Sequence, residues 1–159
     1  MKKIELVCSV EEYTSMNELR ESDKTLINMA TVALSSAYAP YSQFQVGAAL
    51  LLENGTMVSG SNQENAAYPS GLCAERVAFF SAASQYPGET IVSIAITTSF
   101  SLSDPIAPCG ACRQVMAEYE LKQNKPIRVI LAHPGEKVYI INNVKTLLPL
   151  YFSGEWLKK

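Results

Sequence analysis

Residues 44–60 read FQVGAALLLENGTMVSG, and this stretch predicts the hairpin around which the fold is built. Two apolar runs, residues 45–52 and 57–60, flank the pair Asn54-Gly55. An Asn-Gly pair between apolar runs favours a tight hairpin turn, because both residues tolerate a positive φ. The stretch therefore predicts two antiparallel strands.

Helices and strands alternate after the hairpin. Apolar residues recur at helical spacing in residues 24–38, and Pro40 should end that helix. Helices led by cysteines are expected at residues 73–86 and 109–122. Further strands are expected at residues 4–10, 91–98, 127–132 and 138–141, with a turn at Pro134-Gly135. A hairpin followed by alternating helices and strands predicts a mixed sheet covered by helices, which is an α/β layered domain.

Size and charge narrow the possible functions. The chain has 159 residues, which fits one domain, and no repeat or linker divides residues 1–159. Its net charge of -2 favours neither nucleic acid nor an anionic membrane as a partner. No apolar run approaches the roughly 20 residues of a membrane span, and residues 1–7 do not resemble a signal peptide. We therefore expect a cytoplasmic protein.

Three cysteines are spaced as ligands of one zinc ion: Cys73, and then Cys109 and Cys112 in a C-x-x-C pair. Catalytic zinc usually takes three protein ligands and keeps a fourth position for water. Both cysteine segments fall where a loop meets a helix start, where the helix dipole lowers the pKa of a thiol. Glu75 follows Cys73 by two residues and can carry the protons of that water. The pattern predicts a zinc hydrolase.

Two more side chains are expected to support the zinc ligands. Arg76 can donate to a ligand sulfur and offset the charge of three thiolates, and Gln114 can act as a second donor. A closed structural zinc site would instead need a fourth ligand, Cys8 or His133. Cys8 lies in a predicted strand far from the cluster in sequence, and His133 lies beside a predicted turn. The open site is the favoured hypothesis.

The motifs around this site resemble those of the free-nucleoside cytidine deaminases. Cys73 stands where nucleic-acid deaminases usually have histidine, residues 44–49 resemble the family's strand motif, and residues 62–65 match its N-x-E-N loop. The resemblance covers residues 25–152. It implies a three-layer α-β-α sandwich with a mixed five-stranded sheet. It also implies hydrolytic deamination of cytidine and deoxycytidine in pyrimidine salvage, through attack of zinc-activated water at C4.

The resemblance also assigns substrate contacts. It implies that Asn62 and Glu64 bind the ribose hydroxyls, that Phe44 packs against the pyrimidine, and that Ala74 contacts the substrate. Phe152 takes the position of an aromatic residue with which a neighbouring subunit closes the base pocket. The family's small form is a homotetramer with one Zn²⁺ per subunit. Residues 1–23 form an N-terminal extension to which we assign no role.

Three other functions remain open from the sequence. One is deamination of a cytosine-containing antibiotic nucleoside such as blasticidin S, against which the N-x-E-N loop argues. Another is deamination within a nucleic acid, which would need a basic groove and aromatic platforms for neighbouring bases. The third is a non-catalytic domain that zinc stabilises. Turnover of cytidine, of the antibiotic and of an oligonucleotide would separate them.

Overall fold

The computed structural model describes residues 1–133 and 137–157, so the turn predicted at Pro134-Gly135 lies outside the described residues. Three α-helices and six strands follow one another in this order: β1 Glu11–Tyr13, α1 Glu21–Ala33, β2 Val46–Leu52, β3 Met57–Ser61, α2 Ala74–Gln85, β4 Ile91–Thr98, α3 Gly110–Gln123, β5 Arg128–Ala132 and β6 Val138–Ile141.

The six strands form one mixed sheet in the order β1-β6-β5-β4-β2-β3. β4 and β5 are parallel, and the other neighbouring pairs are antiparallel. The parallel pair needs a crossover, which α3 supplies. The mixed sheet is confirmed, but it has six strands instead of the expected five, because β1 adds to the edge at β6.

Helices cover both faces of the sheet. Side chains along a strand point alternately to its two faces, and β2 shows this directly. Ala48 and Leu50 belong to the core under α2 and α3, whereas Ala49 belongs to the core under α1. The predicted three-layer α-β-α sandwich is therefore confirmed.

Two glycines let the helices approach the hairpin closely. A Cβ at Gly47 would lie 2.0 Å from the carbonyl oxygen of Ala30 in α1. On the other face, a Cβ at Gly60 would lie 2.5 Å from the amide nitrogen of Ala78 in α2. Both distances are shorter than any ordinary contact, so the two positions need a residue without a side chain. The hairpin thus sets the distance of α2, which carries the site, from the sheet.

The N-terminal segment departs from the sequence prediction. The strand expected at residues 4–10 is wrong, because these residues are exposed and outside any strand or helix. The strand lies instead at Glu11–Tyr13, where Glu11 pairs with Ile140 and Tyr13 with Val138 of β6. An apolar run forms a strand only where a neighbouring strand satisfies its backbone groups. In this structure the edge of β6 pairs with β1 and not with residues 4–10.

The first helix also has different bounds from those expected. α1 begins at Glu21 and ends at Ala33, and a short 3-10 helix, Leu34–Ser36, follows it. The apolar spacing that predicted a helix as far as residue 38 continues through this tighter turn. None of the helices within the described residues is long and apolar enough to cross a membrane.

Candidate active site

The three cysteine sulfurs converge where two helices begin. Cys73 is the N-cap residue of α2, Cys109 is the N-cap residue of α3, and Cys112 lies in the first turn of α3. The Sγ atoms of Cys73 and Cys109 are 3.8 Å apart, and those of Cys109 and Cys112 are 3.5 Å apart. A tetrahedral zinc ion with Zn–S bonds of about 2.3 Å separates its sulfurs by about 3.8 Å. The donor set therefore fits zinc.

The pKa values of Cys73 and Cys112 are shifted in opposite directions, which also fits a cation site. The pKa of Cys73 falls to about 5, because its sulfur accepts hydrogen bonds from the Cys112 thiol and from Arg76. The pKa of Cys112 is raised, because its thiol donates to Cys73 and is buried. One thiolate thus forms easily and suppresses the next. A divalent cation among the sulfurs removes this repulsion and lets all three lose their protons.

No fourth ligand joins the cluster in the part of the chain that the structure describes. The group of His, Cys, Asp and Glu residues able to hold one ion consists of Cys73, Cys109 and Cys112, with all ligand atoms within 4.8 Å of one another. Cys8 and His133, the fourth ligands that a closed site would need, are not in that group, and Cys8 is exposed. The open geometry predicted from the sequence agrees with this arrangement.

Glu75 lies beside the sulfurs with one carboxylate oxygen unsatisfied. The residue is only 4% exposed, and its Oε2 has no hydrogen-bond partner among the described residues. Burial raises the pKa of this carboxyl group, and the negative charge of the Cys73 thiolate raises it further. A buried acceptor is normally paired, so an unpaired oxygen on a residue that lines a cavity is a place where a ligand can be received.

Arg76 lies against the same sulfur. Its Nη2 is 3.7 Å from the Sγ of Cys73 and 3.3 Å from the carbonyl oxygen of Gly71. The guanidinium group therefore places a positive charge next to the cluster and also holds the loop that leads into α2. Gln114 was expected to donate to a sulfur, but among the described residues its Nε2 donates to the carbonyl oxygen of Phe152 at 2.8 Å.

A cavity of about 830 Å³ opens above Glu75 and the sulfurs of Cys73 and Cys109. Its walls come from the loops before β2, before α2 and before α3. The lining residues predicted from the sequence are Phe44, Asn62, Glu64, Cys73, Glu75, Arg76 and Cys109. This volume is sufficient for a small molecule of nucleoside size.

Phe44 and Asn62 form one wall of the cavity. The Phe44 ring stacks on the Phe100 ring, with centroids 4.8 Å apart and an interplanar angle of 16°. The Asn62 side chain donates to the carbonyl oxygen of Phe44 and accepts from the amide of Val46, both at 2.8 Å. Asn62 therefore fixes the backbone on which Phe44 is carried, and its remaining N–H and lone pair stay available.

Glu64 holds the loop that leads into Phe44. Its Oε2 accepts from the amides of Tyr41 and Ser42, at 2.9 and 3.3 Å, and its Oε1 accepts from the Ser42 hydroxyl. The bond from Ser42 is the main reason why the pKa of Glu64 lies below its ordinary value. The carboxylate is therefore ionised and held in a fixed orientation at the cavity wall.

Two of the expected substrate contacts lie away from the cavity lining. Ala74, the first residue of α2, is fully buried, main chain included, and is not among the residues that line the cavity. Phe152 is 58% exposed, lies outside the lining and contacts Trp156 edge-on at 6.0 Å between centroids. Within the described part of this single chain, Phe152 does not reach the site.

Several residues of the site were not singled out in the sequence. Tyr41, Ser42 and Tyr68 form part of the wall, as do Ile106 and Ala107 just before the C-x-x-C pair. The Phe100 ring stacks on the ring of Phe44. Each of these residues lies within three residues of a motif named above or in a loop between two elements. This closeness in sequence was the only local indication that they could belong to the site. Only the folded chain shows which of these loop side chains turn inward.

Comparison with known proteins places this site in a described class. The family model of the cytidine and deoxycytidylate deaminase zinc-binding region matches residues 20–125, more than half of the chain. A cytidine deaminase from Halalkalibacterium halodurans is 42% identical over 138 residues, which cover 82% of this chain and 93% of the relative. One from Sporosarcina psychrophila is 48% identical over 94 residues, covering 59% of this chain and 67% of the relative.

Solved structures agree with the sequence matches. The crystal structure of a cytidine deaminase from Burkholderia pseudomallei superposes with a TM-score of 0.72 at 43% identity, covering 81% of this chain and 98% of the other. That of a cytidine deaminase from Mycobacterium tuberculosis gives a TM-score of 0.67 at 32% identity, covering 84% and 99%. Fold and site define a zinc-dependent hydrolytic deaminase. Within that class, the chain belongs to the cytidine deaminase family.

Proposed function

We propose that this protein deaminates cytidine and deoxycytidine to the corresponding uracil nucleosides and ammonia. One observation carries the proposal: three convergent thiols and a buried, unpaired carboxylate oxygen lie together at one cavity large enough for a nucleoside. Water adds at C4 of the cytosine ring, and the bond from C4 to the amino group breaks. The cavity must therefore supply a nucleophile and a proton carrier.

Cys73, Cys109 and Cys112 would hold the zinc ion. When bound, zinc supplies Lewis acidity that makes a water molecule nucleophilic at neutral pH. The guanidinium group of Arg76, 3.7 Å from the Cys73 sulfur, offsets part of the charge of the thiolates. This compensation matters because three thiolates donate more negative charge than a neutral ligand set and weaken that acidity.

Glu75 is the proton carrier in this proposal. Its Oε2 takes a proton from the attacking water and delivers it to N3 of the ring. It then takes the remaining proton from the hydroxyl group added at C4 and delivers it to the departing amino group, which leaves as ammonia. Burial supports this role, since it raises the pKa of the carboxyl group above its ordinary value and so favours the protonated form that donates.

The cavity walls position the nucleoside. Phe44 presents its ring to the pyrimidine, while Asn62 and Glu64 offer an amide and a carboxylate to the sugar hydroxyls. Hydrogen bonds to the protein already hold the last two side chains, so they need little reordering when a substrate binds. A contact between Ala74 and the substrate stays a prediction, because this residue is fully buried at the start of α2.

The remaining parts of the proposal concern the whole protein. We propose a homotetramer in which Phe152 of one subunit closes the cavity of another, and the exposure of Phe152 supports this. We also propose that residues 1–159 form one domain with an N-terminal extension, residues 1–23. A cytoplasmic role in pyrimidine salvage follows from the substrate and agrees with the absence of a spanning helix among the described helices.

The decisive experiment follows the loss of cytidine absorbance by the purified protein and measures its zinc content in the same preparation. We expect turnover of cytidine and deoxycytidine with one zinc per chain. If the protein deaminates blasticidin S but not cytidine, the antibiotic is the substrate instead. If it deaminates a cytosine oligonucleotide but not the free nucleoside, the substrate is a nucleic acid. A zinc-loaded protein that deaminates none of them would contradict the proposal.

A further inference from the structure

The loop before β2 is held by an unusual concentration of hydrogen bonds around Ser42. The Ser42 hydroxyl donates to Oε1 of Glu64 and accepts from the amide of Phe44 at 3.0 Å. The Ser42 amide donates to the other oxygen of Glu64 at 3.3 Å. One small side chain therefore connects two residues that we assign to the sugar and to the base.

The backbone at this point is strained. Gln43, between Ser42 and Phe44, has a φ of 57°. A residue with a Cβ rarely adopts this left-handed conformation, and it persists only where the surrounding contacts hold it in place. Its own amide bonds to the carbonyl oxygen of Ala39 at 3.0 Å. The bonds that Ser42 makes with Glu64 and with the Phe44 amide also hold the turn.

The bonds to Glu64 leave a defined place for one more donor. An ionised carboxylate has about four acceptor positions. The Tyr41 amide, the Ser42 amide and the Ser42 hydroxyl already occupy three of them. The fourth is on Oε1, the oxygen that the Ser42 hydroxyl orients. Because this position is fixed before binding, a sugar hydroxyl need not reorganise the side chain.

We propose that Ser42 is a positioning residue for nucleoside binding, which orients Glu64 towards the sugar and fixes the turn that presents Phe44 to the base. This inference rests on the proposed function. Ser42 acts through its neighbours, since its hydroxyl donates its single proton to Glu64. It contributes to binding of the substrate and not to the proton transfers at the ring.

The test compares variants that differ in the hydroxyl group. Thr and Val have nearly the same shape, so Ser42→Thr keeps the hydroxyl while Ser42→Val removes it; Ser42→Ala removes it without adding volume. We expect Ser42→Ala and Ser42→Val to raise the KM for cytidine about tenfold, the usual effect of losing one hydrogen bond to a charged group, with kcat within about threefold of the parent. Ser42→Thr should retain a KM near that of the parent.

A matched control is Ser35→Ala. Ser35 is exposed, and within the described part of the chain its hydroxyl bonds to the carbonyl oxygen of Val32 in its own helical turn, so KM should not change. An unchanged KM in Ser42→Ala would overturn the proposal. So would a Ser42→Thr variant as impaired as Ser42→Val, because the effect would then be one of shape.

A double-mutant cycle tests whether Ser42 acts through Glu64. In a Glu64→Ala background, which lacks the side chain that Ser42 orients, we expect removal of the Ser42 hydroxyl to change KM by much less than tenfold. Fully additive effects would overturn the assignment. The proposed function fails separately, if the zinc-loaded parent protein does not deaminate cytidine; the inference about Ser42 fails if the parent is active and its Ser42 variants bind cytidine equally well.

Discussion

At the residue scale, Glu75 combines two features that a folded protein rarely leaves together: deep burial and an unpaired oxygen. Leaving a buried acceptor unpaired costs about 1–3 kcal/mol. The position is also the second residue of α2, where the helix dipole stabilises negative charge, while burial opposes it. The net result is a pKa above the ordinary value of a glutamate, which suits a group that must both accept and donate protons.

Replacing Glu75 by Gln tests that role. We expect Glu75→Gln to keep its fold and zinc, because the three sulfurs remain, and to lose turnover of cytidine by about 10²–10⁴-fold, the usual contribution of a general acid and base. Absorbance loss and zinc content give the two readings. Glu89→Gln is the matched control, since Glu89 is exposed on the turn after α2 and outside the cavity lining. Parental turnover in Glu75→Gln would contradict the assignment.

Arg76 should act on the metal and not on the substrate. We expect Arg76→Ala to weaken zinc binding or slow turnover, because the charge of the thiolates is no longer offset next to Cys73. Competition with a chromogenic chelator measures the affinity. Arg76→Lys keeps a positive charge but not the planar guanidinium group, so it should fall between the parent and Arg76→Ala. Unchanged affinity and rate in Arg76→Ala would show that the contact is incidental.

At the scale of elements, the hairpin fixes the position of α2 through Gly60. A Cβ there would lie 2.5 Å from the Ala78 amide and 2.7 Å from the Ala74 carbonyl oxygen, both of them backbone atoms that cannot turn aside. We expect Gly60→Ala to lower the free energy of unfolding by about 1–3 kcal/mol, as overpacking usually does. Urea denaturation measures it. Gly110→Ala is the control, because its added Cβ has no neighbour within 4 Å among the described residues.

The N-terminal extension is joined to the sheet by Asp23. Arg128 in β5 donates to both carboxylate oxygens of Asp23, at 2.9 and 3.1 Å, and Arg20 donates at 3.2 Å. Burial raises the pKa of Asp23, but the two arginines outweigh that effect, and the pKa lies below its ordinary value. The pair therefore contributes stability above pH of about 4, and this contribution is lost as the pH falls through the lowered pKa.

A substitution should show that pH dependence. We expect Asp23→Asn to lower the free energy of unfolding by about 2 kcal/mol at pH 7, a value between those of exposed and buried pairs. The difference from the parent should shrink in acid, where the parent carboxylate also becomes neutral. Denaturation of the parent and the variant at pH 7 and in acid measures this difference. Glu12→Gln is the control, because Glu12 lies exposed on β1. A difference that does not depend on pH would exclude the ion pair as its cause.

Most elements could be predicted from the sequence because their signals are local. The bounds of β4 and β6 agree with the predicted strands, and the hairpin follows from Asn54-Gly55. The strand at residues 4–10 was wrong because a strand needs a partner, and pairing with β6 is a property of the folded sheet. The sixth strand of the sheet, β1, was not predicted for the same reason: it depends on pairing with β6.

The site could be predicted less completely than the fold. The cysteine spacing and Glu75 carry their chemistry in residue type and position, so the zinc centre was accessible from the sequence. The contacts of Asn62, Glu64 and Gln114 with the backbone were not, because they join segments that are separated by 16 or more residues. Phe100 was overlooked for the same reason: a phenylalanine in a loop has no local signal that it will stack on Phe44.

At the scale of the whole molecule, the C-terminal segment presents apolar side chains to solvent. Leu150, Phe152 and Trp156 are 89%, 58% and 71% exposed, although the last two contact each other. Gln114 holds the backbone of Phe152 against α3, so the ring is presented at a fixed place. An exposed apolar group of this kind favours burial against another chain, which agrees with the proposed tetramer.

Assembly and substrate binding should therefore change together at Phe152. We expect the parent to sediment with the mass of four chains and Phe152→Ala to raise the KM for cytidine, because the neighbouring ring no longer closes the cavity. Trp156 is the only tryptophan of the chain, so quenching of its fluorescence by iodide reports its burial on assembly. Val32→Ala, an exposed residue of α1, is the control. A parent protein that stays monomeric would contradict the proposed closure.

The ligand positions have a further consequence for folding. Cys73 and Cys109 are 36 residues apart in the chain and begin different helices. An ion bound by both acts as a cross-link, and closing a loop of this length removes about 4 kcal/mol of entropy from the unfolded chain, by analogy with a disulfide. The resistance of the protein to heat should thus follow the supply of metal, and chelation should lower the melting temperature.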